Sequence, residues 1–310
     1  MMSILVLGGA GFIGSSIVNK LVNCNYRVIV FDRKGADISR ILPSDKVSYI
    51  YNDLSDIDFL TDFIQKENIH VVIHLVSSLI PNSSFDEYNQ DVQNVVFPSI
   101  KLIHELAKLQ VLFVYFSSGG TIYGNKLYER SINENDTLMP INYYGYSKLM
   151  MERMILVEHN LNKLRYLILR PSNPYGPGQN LYGKQGLIAV ALGKCIREEE
   201  MVVYGDGSVV RDYIYIDDLT NCVCELLNRN VENRIFNLGS GCGYSINDVL
   251  SVMEEVTGKK LQIRNYPERL VDVHSLVLDI SKLDRVIGFH GMPLKEGIYR
   301  FLKYIGNDNK

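Results

Sequence analysis

Residues 8–14 read Gly-Gly-Ala-Gly-Phe-Ile-Gly, between the apolar run Ser3–Leu7 and the helix-patterned stretch Ser15–Asn25. No other segment restricts the fold as strongly. Glycines at 8, 11 and 14 are what a strand needs to turn sharply into a helix while a pyrophosphate sits on the turn. Gly8 permits the tight turn, Gly11 lets the backbone approach the phosphates, and Gly14 lets helix and strand pack closely. The amides that open the helix then face the anion, and the helix dipole favours its charge. About twenty residues beyond the first of these glycines, Arg27–Phe31 reads as a second strand and ends at Asp32. A carboxylate there can take both ribose hydroxyls of an adenosine and would repel a 2′-phosphate. The segment therefore predicts a bound dinucleotide, NAD. Arg33 beside Asp32 is able to pair with a 2′-phosphate, which leaves NADP open.

Strand-like runs at 3–8, 27–31, 47–51, 71–75, 111–117 and 164–169 alternate with helical patterns at 12–24, 57–67, 93–109 and 142–162. Near-continuous Val, Ile and Leu strands separated by helices predict an α/β fold, a doubly wound parallel sheet covered on both faces. Ligands bind such sheets at the carboxyl ends of the strands. After Arg170 the composition changes: residues 171–186 are rich in Pro, Gly and Asn and read as loop. This places a dinucleotide-binding domain at 1–172 and a smaller substrate-binding lobe at 173–310, parts of which return to the first domain. The second part carries helical patterns at 185–199, 218–228, 246–257 and 295–304 and a short strand near 234–239.

A net charge of −3 with scattered Lys and Arg gives no basic field for nucleic acid. No run approaches the eighteen or so apolar residues of a membrane span, and the N-terminal run is too short for a signal peptide. The cysteines (Cys24, Cys195, Cys222, Cys224 and Cys242) are odd in number and form no CxxC pair, which predicts reduced thiols in a cytoplasmic protein. His70 and His74 fall in a strand, where four residues separate them by roughly 13 Å. No metal site is expected.

The second chemical signal is Tyr144 followed by Lys148 at the start of a helix. A spacing of four puts phenol and ammonium on one face. The lysine is expected to stabilise the phenolate and draw its pKa from about 10 toward working pH, so that Tyr144 can take a proton from an alcohol as hydride leaves the same carbon. Tyr143 and Tyr146 lack such a partner, since Ser147 and Met150 stand four residues on. Tyr299 and Lys303 share the spacing, but on an amphipathic C-terminal helix without a glycine loop, and read as surface structure.

A third element, Val111–Gly124, ends a buried strand in hydroxyls and glycines at the ligand-binding edge. With this segment added, the glycine turn and Asp32, Asp53-Leu54, the run 74–78, the Tyr144 motif, 169–179 and 205–218 together resemble the extended short-chain dehydrogenase/reductase superfamily. More narrowly, they are similar to its nucleotide-sugar epimerase/dehydratase group, of the UDP-glucose 4-epimerase type, from residue 4 to about 304. The resemblance implies that Gly8, Gly11, Phe12, Ile13 and Gly14 hold the pyrophosphate and Asp32 the adenosine ribose. Asp53 and Leu54 would flank adenine, and Val76, Ser77 and Asn94 would line the cofactor trough. Tyr144 would be the proton acceptor, with Lys148 on the nicotinamide ribose. Asn173, Arg211 and Arg269 would hold the diphosphate of a nucleotide sugar, with Tyr213 and Asp272 nearby; two phosphates do call for guanidinium donors. Leu276 stands where the family varies between a bulky aromatic and a small residue, a position that bears on whether an N-acetyl group fits. The helices at 93–109 and 142–162 resemble those through which such proteins form homodimers.

The chain departs from the pattern at Gly119, where the family places its catalytic Ser or Thr. Strand alternation favours Thr121 as the replacement, because residues 119 and 121 share a face; Ser118 or a water are the alternatives. Residues 119–121 supply no acid, so elimination of water from the sugar is not expected. Three readings follow. One is a 4-epimerase with retained NAD, and a second is an NAD(P)H-dependent 4-ketoreductase acting on a substrate such as dTDP-4-keto-6-deoxyglucose. The third, a non-catalytic dinucleotide-binding protein, has no use for the Tyr144–Lys148 geometry. Fold alone does not decide among them.

Overall fold

Runs of Val, Ile and Leu that are apolar at every position must be covered on both faces, and the chain satisfies this with one large sheet. The structure is a computed structural model and describes residues 1–125, 130–183, 185–267 and 275–308. The first half contains β1 (Ser3–Leu7), α1 (Phe12–Asn23), β2 (Arg27–Asp32), β3 (Val47–Tyr51), α2 (Ile57–Lys66), β4 (Val71–His74), α3 (Phe85–Asp91), α4 (Phe97–Leu109) and β5 (Leu112–Phe116). Then follow α5 (Tyr143–Asn162), β6 (Tyr166–Pro171), β7 (Asn173–Tyr175), α6 (Leu187–Arg197), β8 (Met201–Tyr204), β9 (Val210–Tyr215), α7 (Ile216–Asn228) and β10 (Arg234–Leu238). The chain closes with β11 (Gly243–Ser245), α8 (Ile246–Thr257), β12 (Ile263–Tyr266), β13 (Ser275–Leu276), α9 (Ser281–Ile287) and α10 (Leu294–Asp308).

Seven strands form the large sheet in the order β10-β6-β5-β4-β1-β2-β3, every neighbouring pair parallel. The order reverses between β1 and β4, the place where such sheets open a crevice for ligands. Alternation along β1 shows how the sheet is covered. Ile4 and Val6 join α1, α7 and α9 in one core, whereas Leu5 and Leu7 join α2, α4 and α5 in the other. Each such side chain removed from water contributes about 1.5–3 kcal/mol. Although β10 lies beyond residue 173, it pairs with β6 in this sheet.

The remaining strands form two small sheets. β9 is flanked by β7, β11 and β13, and β8 pairs with β12. With α6, α8 and α10 they enclose a separate core that includes Ile188, Leu192, Met253 and Phe301.

Two expectations are corrected here. The helix pattern at 93–109 is broken by a π turn, Val92–Val96, joining α3 to α4, in which the Phe97 amide bonds the Val92 carbonyl. Pro98, at the start of α4, has no amide to give, so the regular ladder cannot run through this point. The second correction concerns the thiols. Cys24 and Cys224, 200 residues apart, pair as a disulfide because α1 and α7 pack side by side on one sheet face, while Cys195, Cys222 and Cys242 are free. Among the described residues no helix is long and apolar enough to cross a membrane, and no cluster of metal-ligating side chains occurs.

Candidate functional site

The glycine turn sits at the carboxyl end of β1. Gly8 adopts φ +78°, and a Cβ on Gly14 would lie 2.3 Å from the Gly8 carbonyl, so helix and turn touch there backbone to backbone. Gly11 differs: a Cβ there would meet only the Gly8 carbonyl, at 3.4 Å. The turn therefore has open space in front of Gly11, the N-cap of α1, which carries no side-chain cap. Phe12 and Ile13 follow and line a cavity of about 510 Å³. Two buried hydroxyls on its wall, Ser117 and Ser172, find no partner among the described residues. Uncapped amides, a roomy glycine and unpartnered hydroxyls around one cavity fit a dinucleotide.

Asp32 ends β2 beside the turn, its carboxylate accepting from the amides of Ala10 (3.0 Å) and Arg33 (2.9 Å). Arg33 itself is exposed. The backbone of Val76 packs on Gly8, and Ser77 lines the cavity. Leu54 is buried in the core, and the exposed Asp53 accepts from the amide and hydroxyl of Ser55. Asn94 is exposed in the π turn, away from the cavity lining. Arg40, which sequence reasoning missed, donates to the carbonyls of Ala10 and Gly178 at 3.3 Å each and so ties the glycine turn to the loop after β7.

The side chain of Asn142 caps α5 by accepting from the Gly145 amide at 2.9 Å, and places Tyr144 and Lys148 one turn apart against the end of β5. Lys148 is buried, donates to the Phe116 carbonyl at 3.0 Å, and lies 5.6 Å from the centre of the Tyr144 ring. Burial lowers its pKa to about 8, against the opposing pull of Asp91 and Glu152. The expectation that the lysine draws the Tyr144 pKa down is corrected. Burial of the phenol dominates and raises it, a hydrogen bond with Ser118 opposes the rise, and Asp91 adds to it.

The place where β5 stops bears on the two candidate hydroxyls. The strand ends at Phe116 and residues 119–123 form turns, with the Ile122 amide bonding the Ser118 carbonyl, so strand alternation does not reach Thr121. Ser118 hydrogen-bonds the Tyr144 phenol, and Thr121 donates to the Ser118 oxygen at 3.0 Å. Both residues line the cavity, and the bond from Thr121 leaves the Ser118 proton to point at the phenol. Gly119 is enclosed: a Cβ there would lie 2.7 Å from both the Arg170 carbonyl and Leu278 Cδ1.

Across the cavity lie Asn173 and Arg211, which also border an adjoining pocket of about 270 Å³ containing Tyr175, Tyr204 and Tyr213. Asn173 donates to the Asp212 carbonyl at 2.8 Å, and Arg211 to the Val210 carbonyl at 2.9 Å. Between Arg211 and Tyr213, fully buried Asp212 accepts from the amides of Ser240, Gly241 and Leu278, which pins β9 to the loop after β10. Burial still raises its pKa to about 6. Leu276 is fully buried with Ile122, Tyr123 and Ile132 and is not among the residues lining either space. Arg269 and Asp272 lie outside the described residues. Tyr299 is exposed on α10.

Beneath the site runs a buried polar network without a local sequence signal. Arg170 on β6 makes a two-pronged ion pair with Glu152 on α5 (2.9 and 2.7 Å) and donates to Tyr123, whose hydroxyl bonds Asn237 at 2.6 Å.

With this geometry in view, the comparisons with known proteins are specific. The model of the NAD-dependent epimerase/dehydratase family matches residues 4–239. The chain is 31% identical to a UDP-glucose 4-epimerase of Halalkalibacterium halodurans, covering 93% of this chain and 90% of that one. It is 30% identical to a dTDP-4-dehydro-6-deoxyglucose reductase of Escherichia coli, over 97% of each. Its fold superimposes on the crystal structure of a UDP-glucose 4-epimerase from Thermotoga maritima with UDP-glucose, at a TM-score of 0.92 and 30% identity, over 100% of both chains.

Proposed function

This chain belongs to the NAD-dependent epimerase/dehydratase family, and from that premise we propose that it is a 4-epimerase of a UDP-hexose of the glucose or N-acetylglucosamine type. The observation that carries the reading is one cavity with three walls: Phe12 and Ile13 at the glycine turn, half-buried Tyr144 with buried Lys148, and the Asn173–Arg211 edge. A cofactor on the first wall and a sugar nucleotide on the third meet over the phenol.

NAD, when bound, supplies the hydride acceptor. Gly11, Phe12 and Ile13 receive its pyrophosphate and Asp32 its ribose, while Arg211 and Asn173 hold the nucleotide of the sugar. Tyr144 takes the proton of the 4-hydroxyl and returns it after the sugar has turned over. Because burial disfavours the phenolate, this step depends on the donor hydrogen bond from Ser118. Exposed apolar residues on the paired helices α4 and α5 (Phe97, Val157 and Leu161) support a homodimer through that face.

A ketoreductase is the second reading, favoured by the E. coli relative. It would use the same residues for half the cycle and consume NAD(P)H. The test is the cofactor balance of the purified protein. An epimerase carries NAD through purification and interconverts UDP-glucose with UDP-galactose, or their N-acetyl counterparts, without added coenzyme and without net change in nicotinamide absorbance. Strict dependence on added NADPH with dTDP-4-keto-6-deoxyglucose, and no action on UDP-hexoses, would replace the epimerase by the reductase.

A further inference from the structure

Asp91 ends α3 just before the π turn and is 2% exposed, yet no part of the proposed chemistry uses it. Its carboxylate accepts from the Ser78 hydroxyl at 2.6 Å and the Ser78 amide at 3.3 Å, on the loop that leaves β4 toward the cavity. Its other oxygen accepts from the Ser147 hydroxyl at 2.6 Å, and Ser147 immediately precedes Lys148 on α5. One buried anion therefore joins the cavity loop, the π turn and the first turns of the helix that carries Tyr144 and Lys148.

The charges around the lysine leave Asp91 a distinct task. Lys148 faces Tyr115 on β5, His74 on β4 and Tyr144 on its own helix, none of which carries a negative charge at neutral pH. Glu152, one turn along α5, is committed to Arg170 by two hydrogen bonds. The hydrogen bond of Lys148 goes to a neutral carbonyl, that of Phe116. A buried ammonium needs a counter-charge, and among the described residues Asp91 is the buried carboxylate beside it that no cation pairs.

We propose that Asp91 is a positioning residue for the Tyr144–Lys148 pair, anchoring the first turns of α5 through Ser147 and supplying the negative charge that keeps Lys148 an ammonium. The inference rests on the functional reading above. It extends it to a residue that does not touch substrate or reacting atoms. Asp91 opposes the loss of the Lys148 proton and raises the proton affinity of Tyr144. Removing a negative charge lowers the pKa of both neighbours, so the sign of the effect is fixed: both limbs of the pH profile move to lower pH.

The test compares Asp91→Asn with wild type between pH 6 and 10, reading turnover and, independently of turnover, NAD affinity by fluorescence. Loss of an opposite charge at close range shifts a partner's pKa by about one unit or more. The expected result is that the alkaline limbs of turnover and of NAD affinity move down by about a unit in Asp91→Asn. Both limbs staying in place in a folded Asp91→Asn protein would overturn the proposal, since loss of packing alone does not move a titration. Should Asp91→Asn not fold, the double variant Ser78→Ala, Ser147→Ala keeps the charge and removes its hydroxyl anchors. It should then lose turnover about tenfold with unmoved limbs, and unchanged turnover would overturn the positioning role. Wild-type protein inactive on every UDP-hexose and 4-keto sugar would instead sink the functional reading, while the NAD-affinity titration would still judge Asp91.

Discussion

Gly119 and Gly120 are adjacent and carry opposite expectations, which makes Gly119→Ser a sharp test of how the site is built. A Cβ at 119 would stand 2.7 Å from the Arg170 carbonyl, 2.7 Å from Leu278 Cδ1 and 3.1 Å from the Pro171 carbonyl. The leucine can turn away. The two carbonyls are less free, because Arg170 and Pro171 end β6 alongside β10 and the Pro171 carbonyl already accepts from the Gly119 amide at 2.7 Å. Relief to ordinary contact near 3.4 Å calls for a shift of about 0.7 Å at the buried end of β6, an overpacking cost of about 1–3 kcal/mol. At roughly 2–4 °C per kcal/mol for a chain of this size, the melting temperature should fall by about 2–12 °C. The new hydroxyl should not raise turnover, since Ser118 already occupies the position beside Tyr144. Gly120→Ala is the control: its Cβ would lie 3.9 Å from both Asn173 Oδ1 and Ser118 Oγ, in open cavity, so it should melt like wild type and act on KM for the sugar nucleotide. Differential scanning fluorimetry and steady-state rates on the three proteins decide the matter. A Gly119→Ser protein that melts within a degree of wild type and turns over faster would refute the reasoning.

Tyr144→Phe should retain NAD and its melting temperature but lose about 10²–10⁴-fold in turnover, whereas Tyr299→Phe, on the surface, should lose nothing; equal losses would displace Tyr144 as the proton acceptor. Turnover should decline above pH about 8, where Lys148 sheds its proton. The sign for stability is opposite: the folded-state pKa lies below the ordinary lysine value near 10.4, so this residue's contribution to stability rises between those two pH values, which a series of melts at increasing pH checks. Leu276→Ala should cost about 2–5 kcal/mol as a buried cavity and leave the ratio of activity on N-acetylated and plain sugars unchanged, because the side chain packs on Tyr123 and Ile132 rather than lining the site; a changed ratio measured by parallel rates would return Leu276 to the pocket.

What could be read from the sequence is what the chain encodes within a single turn or strand. The glycine turn, Asp32 at the end of β2, and the spacing of Tyr144 and Lys148 are local, and each lies at the sheet edge that the alternation of strands and helices predicts. The misreadings share a different origin. Thr121 was favoured over Ser118 by extending strand alternation past Phe116, but β5 gives way to a turn there, so alternation does not rank the two hydroxyls. The helix pattern at 93–109 was read as regular, but it is broken by the π turn Val92–Val96 before Pro98. The proton affinity of Tyr144 was inferred from its neighbour, whereas burial dominates it. Cys24 with Cys224, and Asp91 with Ser147, are partnerships across 200 and 56 residues that no local pattern announces.

That division has a mechanistic consequence. The groups that touch a dinucleotide must follow the geometry of strand, turn and helix, so their spacing is constrained and visible. The charges that set how those groups titrate need only be buried nearby, and any element that packs against α5 can supply them. Here β6 supplies Arg170 for Glu152, and the end of α3 supplies Asp91 for Ser147, the residue before Lys148. Two chains with the same Tyr-x-x-x-Lys spacing can therefore work at different pH, and the residues responsible for the difference will lie in the packing around the helix rather than in the motif.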